Sequence, residues 1–469
     1  MAGRFKIVVL DDDPTGSQTV HSCPLLLQWD RATLLEGLAH PSPLLVVLAN
    51  TRALAPEAAA ARVQEIARAL KGAMAELDAI DHWLIVSRGD STLRGHFPGE
   101  VDGLEAELGP FDATFLIPAF LQGGRTTVSG VHLLHGEPVH TSAFGRDGLF
   151  GYGTSYLPDW VAEKTAGRIP SDQVELVGIE ELDAAEQDLL QRLAGLEGNR
   201  CVAVDVERPQ QLGALAAAVR ELTAPSAAER WGRPRRFLSQ SAASWIEALA
   251  QLPPQPLAPA GLAQLRRLAV GGAGGAPLPG LVLVGSHVPL ADAQLEVLLA
   301  EPGCGGVEIV VTKLARVLEG PVPLGMLASL EQAWLAQLQA VLAGGQTPVL
   351  FTSRSELTCR SAAERRRLGL ELAALMARLA AALAPQLGYL ISKGGITTHT
   401  LLADGLGLER VELQGQLLPG LSLVLTPSDG QVPGLPVLTF PGNLGEPETL
   451  RAAWKWMEGM PGSAPAAAG

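Results

Sequence analysis

Cysteine is scarce in this chain of 469 residues. The four present, Cys23, Cys201, Cys304 and Cys359, stand far apart and at no metal-ligand spacing. That argues against a cysteine-built metal site, and a reduced, cytoplasmic setting is the simple expectation. Long apolar runs are missing as well. No stretch approaches the roughly 20 residues of a membrane span, and the opening MAGRFKIVVL is too short and too quickly charged for a signal peptide. No membrane partner is expected. Positive charge is in deficit: a formal net charge of −14 argues against a general nucleic-acid surface. Any anion must therefore be met by a local basic pocket. Aromatic residues are few, whereas Ala, Leu and Gly abound, as in soluble globular proteins. The length is too great for one compact core, so two domains are the starting point.

What is present is an alternation of short apolar runs with longer helical patterns, the order of βαβ units and a mostly parallel sheet. In residues 1–250 strands are read at KIVVL, PLLVVLAN, HWLIVS, ATFLIPAF and CVAVDV. Val63, Ile66, Leu70, Met74 and Leu77 recur at spacings of three and four after Pro56, an apolar helix stripe. Residues 251–280 break the pattern with QLPPQPLAPAG and VGGAGGAPLPG, which read as a linker region. Residues 281–469 restart it with LVLVGS, VEIVVTK, PVLFTSR, YLISKGG, LSLVLTPS and LPVLTFPGNLG. Ser361 and Glu364 have capping-box spacing before a stripe of Leu368, Leu372, Leu375 and Leu379. The last ten or so residues read as a disordered tail. The fold class expected is α/β: two domains, each with a mostly parallel sheet flanked by helices, and a ligand cleft between them.

Polar, charged and Gly residues gather after nearly every strand, and in open parallel sheets the carboxyl edge is where ligands bind. In the first half the strand ends are DDDPTG, NTR, RGDSTLRGH and QGGRTT. They offer Arg52, Arg88, Asp90, Ser91, Thr92, Arg94, His96, Arg125, Thr126 and Thr127. Guanidinium groups suit a small carboxylate through a bidentate fork, and the hydroxyls with Asp90 suit a polyol. The alternative for any single arginine is a loop residue that caps a helix or pairs on the surface. In the second half SKGGITTHTLLADGL reads strand, Gly-Gly, Thr, helix, a turn whose backbone N–H groups can approach phosphate oxygens. PGNLG at 441–445 offers a second such turn. Lys393 is either a phosphate contact or a solvated loop lysine.

Several familiar signatures are missing. There is no GxxxxGK[ST] loop, no strand-linked GxGxxG and no GxSxG elbow. His132, His135 and His140 lack a familiar ligand spacing, so no metal ligands are assigned. RWGRPRR at 230–236 reads as the cap of a surface loop.

Taken together, DDDPTGSQTV, SRGDSTLRGH, IPAFLQGGRTTVSGVHLLHG, VLVGSHVPLADAQL, SKGGITTHTLLADGLGL, GQLLPGL and LPVLTFPGNLG resemble the four-carbon acid sugar kinase family. They occur in the family's order and span nearly the whole chain. The resemblance implies an N-terminal domain for the sugar acid and a C-terminal domain for ATP. The implied reaction is Mg²⁺- and ATP-dependent phosphorylation of a threonate, erythronate or 3-oxo-tetronate on its terminal hydroxyl. By motif, ATP contacts fall on Ser286, Gly394, Gly395, Ile396, Thr397 and Gly442. Substrate contacts fall on Asp12, Asp13, Asp90, Arg94 and Arg125. The chain departs from the better-known members at three places. Ile396 stands where they have an acidic residue (GGDT or GGET), Phe440 where they have the lysine of KSGGFG, and DDDPTG replaces ADDLTG.

The mechanism expected is a carboxylate clamp by Arg94 and Arg125. Asp12, Asp13 or Asp90 orients the hydroxyl, and domain closure across residues 251–280 unites the halves. The positive partners of the DDD run would be Mg²⁺ or the arginines of the DSTLRG and GRTT loops. Asp11, extra to the family's acidic pair, is expected to be structural or solvated. The rival readings are an NAD-dependent dehydrogenase of small hydroxy acids, opposed by the missing dinucleotide fingerprint, and a non-catalytic two-lobed sugar-acid sensor. Partners are small molecules, with a homodimer left open.

Overall fold

The computed structural model of the chain describes residues 5–17, 19–77, 80, 82–269, 275–319, 323–354 and 362–460. Two compact units divide between Pro254 and Gln255. The first is built on strands β1 (Phe5–Asp11), β2 (Cys23–Leu26), β3 (Leu44–Leu48), β4 (His82–Arg88) and β5 (Ala113–Ile117). A small antiparallel sheet of β6 (Arg125–Val128), β7 (Val131–Leu134) and β8 (Glu137–Pro138) follows, then β9 (Glu175–Val177), β10 (Arg200–Val204) and β11 (Phe237–Ser241). The main sheet runs β2-β3-β1-β4-β11-β5-β10-β9, with every pairing parallel. Helices cover its faces, so β1 and β3 are buried on both sides. This is why they read as unbroken apolar runs rather than alternating ones.

The helix Pro56–Ala75 starts with Pro at its first turn and buries Val63, Ile66, Ala67 and Leu70. These pack with Val8, Leu45 and Val47 of the sheet in one core. Leu77, read above as part of the stripe, lies beyond the helix end, though it still packs on that core.

The second unit holds β12 (Gly280–Val284), β13 (Cys304–Ile309), β14 (Thr347–Thr352), β15 (Tyr389–Lys393), β16 (Arg410–Leu418), β17 (Leu421–Leu425) and β18 (Pro436–Phe440). Their order is β13-β14-β12-β15-β18-β17-β16. Pairing is parallel as far as β18 and antiparallel through β17 to β16. Part of the Pro-rich stretch between the halves is built into this unit. Gln255 donates to the Gln416 carbonyl and accepts from its N–H, and Arg266 pairs with Glu458 at 2.8 Å.

Three sequence expectations change here. The strand read at VEIVVTK ends at Ile309, and Thr312 and Lys313 fall in the helix Val311–Glu319. One stretch, Arg367–Gln386, is long and apolar enough to cross a membrane by length and composition, where none was read. Leu375, Met376, Leu379 and Leu383 of it are buried, the face that a helix packed on a core turns inward, while Leu370 on it stays exposed. Strands β2, β9, β11, β16 and the small antiparallel sheet were not read, being short or, like FLSQS, partly polar. Ser361, Cys359, the glycines at 271–272 and 274, and the tail beyond 460 lie outside the described residues.

The helix Pro56–Ala75 yields a paired test. Leu70→Ala removes a fully buried side chain and should cost about 2–5 kcal/mol. Gly72→Ala adds a Cβ with nothing within 4 Å and should stabilise by about 0.5–1 kcal/mol. Urea denaturation of the two variants measures both.

Candidate functional site

The parallel register brings the first unit's chemistry to one edge. Asp11 ends β1 opposite Leu48 of β3 on one side and Arg88 of β4 on the other. Arg88 is in turn opposite Ser241 of β11, which is opposite Ile117 of β5. The loops that leave these ends therefore emerge side by side.

An ion-pair network ties them. Arg52, in the turn after β3, grips Asp12 side-on, with Nε to Oδ2 at 2.9 Å and Nη2 to Oδ1 at 2.6 Å, while its Nη1 reaches Asp13 Oδ2 at 3.2 Å. Arg88 donates to Asp11 at 3.2 Å and to Asp12 at 3.4 Å. Asp13 also accepts from the backbone N–H and hydroxyl of Thr15. Gly16 closes the turn over this network, and a Cβ there would stand 2.1 Å from Asp11 Oδ1, so no larger residue fits. The positive partners of the DDD run are thus Arg52 and Arg88, not the expected Arg94 and Arg125. Asp11 is not solvated: it is 1% exposed.

The electrostatics follow from crowding. Four carboxyl groups, those of Asp11, Asp12, Asp13 and Glu100, surround two guanidinium groups. Burial pushes Asp11 up to about 7, against the pull of Arg88. It also pushes Glu100 to about 7, with the Asp12 charge adding. Burial raises Asp12 despite Arg52 and Arg88. Burial is the largest single influence on Asp13 and Asp90 too, but Arg52 and Thr15 at Asp13, and Arg52, Arg94 and Thr92 at Asp90, together outweigh it, so both fall below the ordinary carboxylate range.

The DSTLRG loop is held from two sides. Asp90 accepts from Thr92 and from Arg94 Nε at 2.8 Å. Leu93 sits at φ +64°, a costly conformation for a bulky side chain. The turn bond from its N–H to the Asp90 carbonyl and its buried side chain hold it there. His132 Nε2 lies 2.8 Å from the Ser91 carbonyl and its Nδ1 2.9 Å from Thr127 Oγ1. A carbonyl can only accept, so Nε2 carries the proton and Nδ1 accepts from the hydroxyl. Burial lowers this ring to about 4. His132 is a fastener for the loop. Among the described residues, no group of three or more His, Cys, Asp or Glu is arranged to hold a metal ion.

Beyond the loop, a pocket is lined by Asp90, Arg94, Gln240, Ser241 and Trp160. Gln240 Oε1, Ser241 Oγ, Arg88 Nε and Arg125 Nε are buried without a hydrogen-bond partner among the described residues. Arg125 donates through Nη1 to the Gly123 carbonyl, and Thr126 lies half-buried on β6. Gln240 and Ser241 were missed because the strand that carries them was missed. Their signal was the polar end of FLSQS.

In the second unit three turns converge. Val284, Lys393 and Phe440 end β12, β15 and β18 in register, and Ser286, Gly394 and Gly442 follow. Gly394 has φ +114°, and a Cβ there would lie 3.3 Å from the Ser286 N atom; a Cβ on Gly442 would lie 2.6 Å from Ser286 Oγ. Gly395 opens the helix Gly395–Thr400, with Thr397 buried and Ile396 46% exposed. Lys393 is not a solvated loop lysine. It is 0% exposed, donates to the carbonyls of Pro441 at 3.0 Å and Gly442 at 3.1 Å, and lies 4.0 Å from the Phe440 ring centroid. Phe440, standing where the family pattern has lysine, is thus covered by an ammonium from the neighbouring strand. The basic stretch 230–236 pairs locally, Arg230 with Glu221 and Arg233 with Asp112.

The raised Asp11 value generates a pH test. Between the ordinary 3.8 and about 7 the folded state keeps a proton that the unfolded chain releases. This group's contribution is therefore fully present below the ordinary value and is lost as pH rises through about 7. Asp11→Asn removes the loss while keeping an acceptor for Arg88 and the Asp13 N–H. Its melting temperature relative to the parent should climb between about pH 5 and pH 8, as read by thermal melts. A variant that falls behind the parent as pH rises would show that the charge pair with Arg88 outweighs burial.

The comparisons with known proteins follow the same division. A model described as a sugar-binding N-terminal domain matches residues 7–249, and one described as a nucleotide-binding C-terminal domain matches residues 281–450. The chain is 29% identical over 416 residues to a D-threonate kinase of Cupriavidus necator, covering 87% of this chain and 86% of that protein. It is 30% identical over 227 residues to a D-erythronate kinase of Heliobacterium modesticaldum, covering 42% of this chain and 50% of that one. A solved structure from Salmonella typhimurium LT2 superposes with a TM-score of 0.64 at 18% identity over 96% of this chain and 98% of its own. One from Haemophilus influenzae gives 0.59 at 17% identity over 97% and 99%, and both likenesses concern the fold. With both domain models matched in order, and the first alone spanning more than half of the residues, the chain belongs to the four-carbon acid sugar kinase family.

Proposed function

We propose that this protein is an ATP-dependent kinase that phosphorylates a four-carbon sugar acid of the threonate, erythronate or 3-oxo-tetronate type on its terminal hydroxyl. Membership of the family and the kinase names of its relatives support the reaction class. The observation that carries the acceptor is the set of unpartnered buried groups at the first unit's strand ends, Arg88 Nε, Arg125 Nε, Gln240 Oε1 and Ser241 Oγ. Buried polar groups without partners are costly, and a small polyhydroxy acid supplies both acceptors and donors to satisfy them. The Asp90–Arg94 pocket leaves ≈20 Å³ to the centres of water-sized molecules, room for about one water. A four-carbon acid would reach from it into the open mouth.

Phosphoryl transfer asks for an in-line hydroxyl and for charge neutralisation on the transferred group. In this reading Arg94 and Arg125 meet the substrate carboxylate. Arg52 is held by Asp12 and Asp13 and acts instead as the brace that sets their positions. Asp13 and Asp90, kept ionised by their arginines, orient the hydroxyl and accept its proton late, which suits a loose transition state. The turns at Ser286, Gly394–Thr397 and Gly442 would receive the nucleotide. Mg²⁺ arriving on ATP supplies charge neutralisation at the phosphates. The cytoplasm, where ATP is at hand, fits this reading.

Two measurements test it. ADP release by the purified chain with Mg·ATP, screened over the stereoisomeric tetronates and 3-oxo-tetronates, should find turnover on at least one; none on any of them removes this substrate class. On the substrate found, Asp13→Asn should lower turnover by about 100-fold or more while leaving the Kd for ATP within about two-fold. Equal activity takes Asp13 out of the mechanism.

A further inference from the structure

Arg354 follows β14 at the same carboxyl edge as Ser286 and Lys393. Its Nη1 donates to the Ser286 carbonyl at 2.5 Å and lies 3.0 Å from Asp292 Oδ1, although that oxygen takes no hydrogen bond from it. Nε and Nη2 are both buried and have no hydrogen-bond partner among the described residues. These two atoms form the side edge of the guanidinium plane, the edge that grips carboxylate or phosphate with two parallel hydrogen bonds. The guanidinium is thus anchored at one corner, against a carbonyl of the converging turns, with its bidentate edge empty.

The surroundings favour an anion there. Asp292 and Glu308 are near enough to support the Arg354 charge but take neither edge atom. Lys393 stands on the other side of Ser286's strand, on β15, and the two cations work against each other: Arg354 adds to the burial that lowers Lys393. Among the described residues no carboxylate pairs with Lys393; its hydrogen bonds go to the Pro441 and Gly442 carbonyls. His287, a further titratable neighbour, shares a hydrogen bond with the Thr352 hydroxyl at 2.9 Å and is lowered by burial and by Arg354. The buried Lys393 and the partly buried Arg354 share one edge, and the acidic groups near them leave the guanidinium fork open.

We propose that Arg354 is a phosphate-binding residue of the nucleotide site, taking two oxygens of a polyphosphate on Nε and Nη2, while Lys393 positions the Pro441–Gly442 turn beside it. This rests on the reading of the second unit as the nucleotide-binding half, and it adds a side-chain contact to what would otherwise be a cradle of backbone groups. A lysine would restore the charge but not the fork.

The full chain and its Arg354→Gln and Arg354→Lys variants test it, with tripolyphosphate, ADP and adenosine as probes in thermal shift and with KM values for Mg·ATP and for the sugar acid. Arg354→Gln should abolish the tripolyphosphate shift, leave the response to adenosine unchanged and raise the KM for ATP about ten-fold or more. The KM for the sugar acid should stay within about two-fold, and Arg354→Lys should recover only part of the loss. The unliganded melting temperature of Arg354→Gln, equal to or above the parent's, separates lost binding from lost folding. A KM for ATP unchanged in Arg354→Gln, with the parent active, overturns the assignment and leaves the kinase reading standing. A parent that tripolyphosphate stabilises only through Arg354, yet turns over no sugar acid, sustains the assignment and sinks the kinase reading. A parent that neither binds tripolyphosphate nor turns over overturns both.

Discussion

The side-on grip of Arg52 on Asp12 is the interaction on which the first unit's functional edge depends. Arg52 leaves β3 and Asp12 and Asp13 leave β1, so one guanidinium group ties the ends of two adjacent strands, and its charge also acts on Asp90 after β4. Its charge is held well above the ordinary range by Asp12, Asp13 and Asp90 even against burial. A buried pair of this kind adds little net stability compared with apolar packing, but removing one partner leaves the other stranded, at a cost of about 3–5 kcal/mol. The loops are thereby committed to one arrangement. Gly16 above the network, His132 and Tyr152 against the carbonyls of the DSTLRG loop, and the left-handed Leu93 all serve that arrangement.

The two units solve the problem of a polar sheet edge with opposite signs. In the first, carboxyl groups outnumber guanidinium groups, so burial retains protons on Asp11 and Glu100 and the arginines hold Asp13 and Asp90 ionised. In the second, backbone does most of the work. Gly394 and Gly442 let three turns close on Ser286, and beside them stand two cations, the buried Lys393 and the partly buried Arg354. Lys393 shows how a local change can be absorbed: the ammonium reaches Phe440 from the neighbouring strand because Lys393 and Phe440 are paired in register.

Legibility in the sequence tracked the length of continuous apolar runs rather than burial alone, since β11 is buried throughout yet ends polar. Strands covered on both faces gave continuous apolar runs, so β1, β3, β4, β5 and β10 could be read, and with them the loops that follow. Where a strand's end turns polar, as in β11, the run is broken and Gln240 and Ser241 went unseen although they line the same pocket as Asp90 and Arg94. His132 was visible only as one of three histidines; its task of holding the Ser91 carbonyl depends on a hairpin that periodicity does not reveal. The stretch Arg367–Gln386 was legible as a helix stripe, and it meets the length and composition of a bilayer span as well, since a helix packed in a core and one crossing a lipid bilayer have similar composition.

The sequence by itself determined the α/β architecture, the clustering of polar residues at strand ends and the family, because the hydrophobic period and the motifs are local properties of the chain. Only the tertiary structure decided which charges meet. Arg52 lies 40 residues from Asp12 and Arg88 76 residues from it, and neither pairing can be read from spacing. Parallel strands join residues through crossovers, so the partner of each carboxylate is set by strand order and register. The same holds for Asp11: its place in the chain allowed a solvated turn, and its place in the sheet, between β3 and β4 and under Gly16, made it a buried acid paired with Arg88.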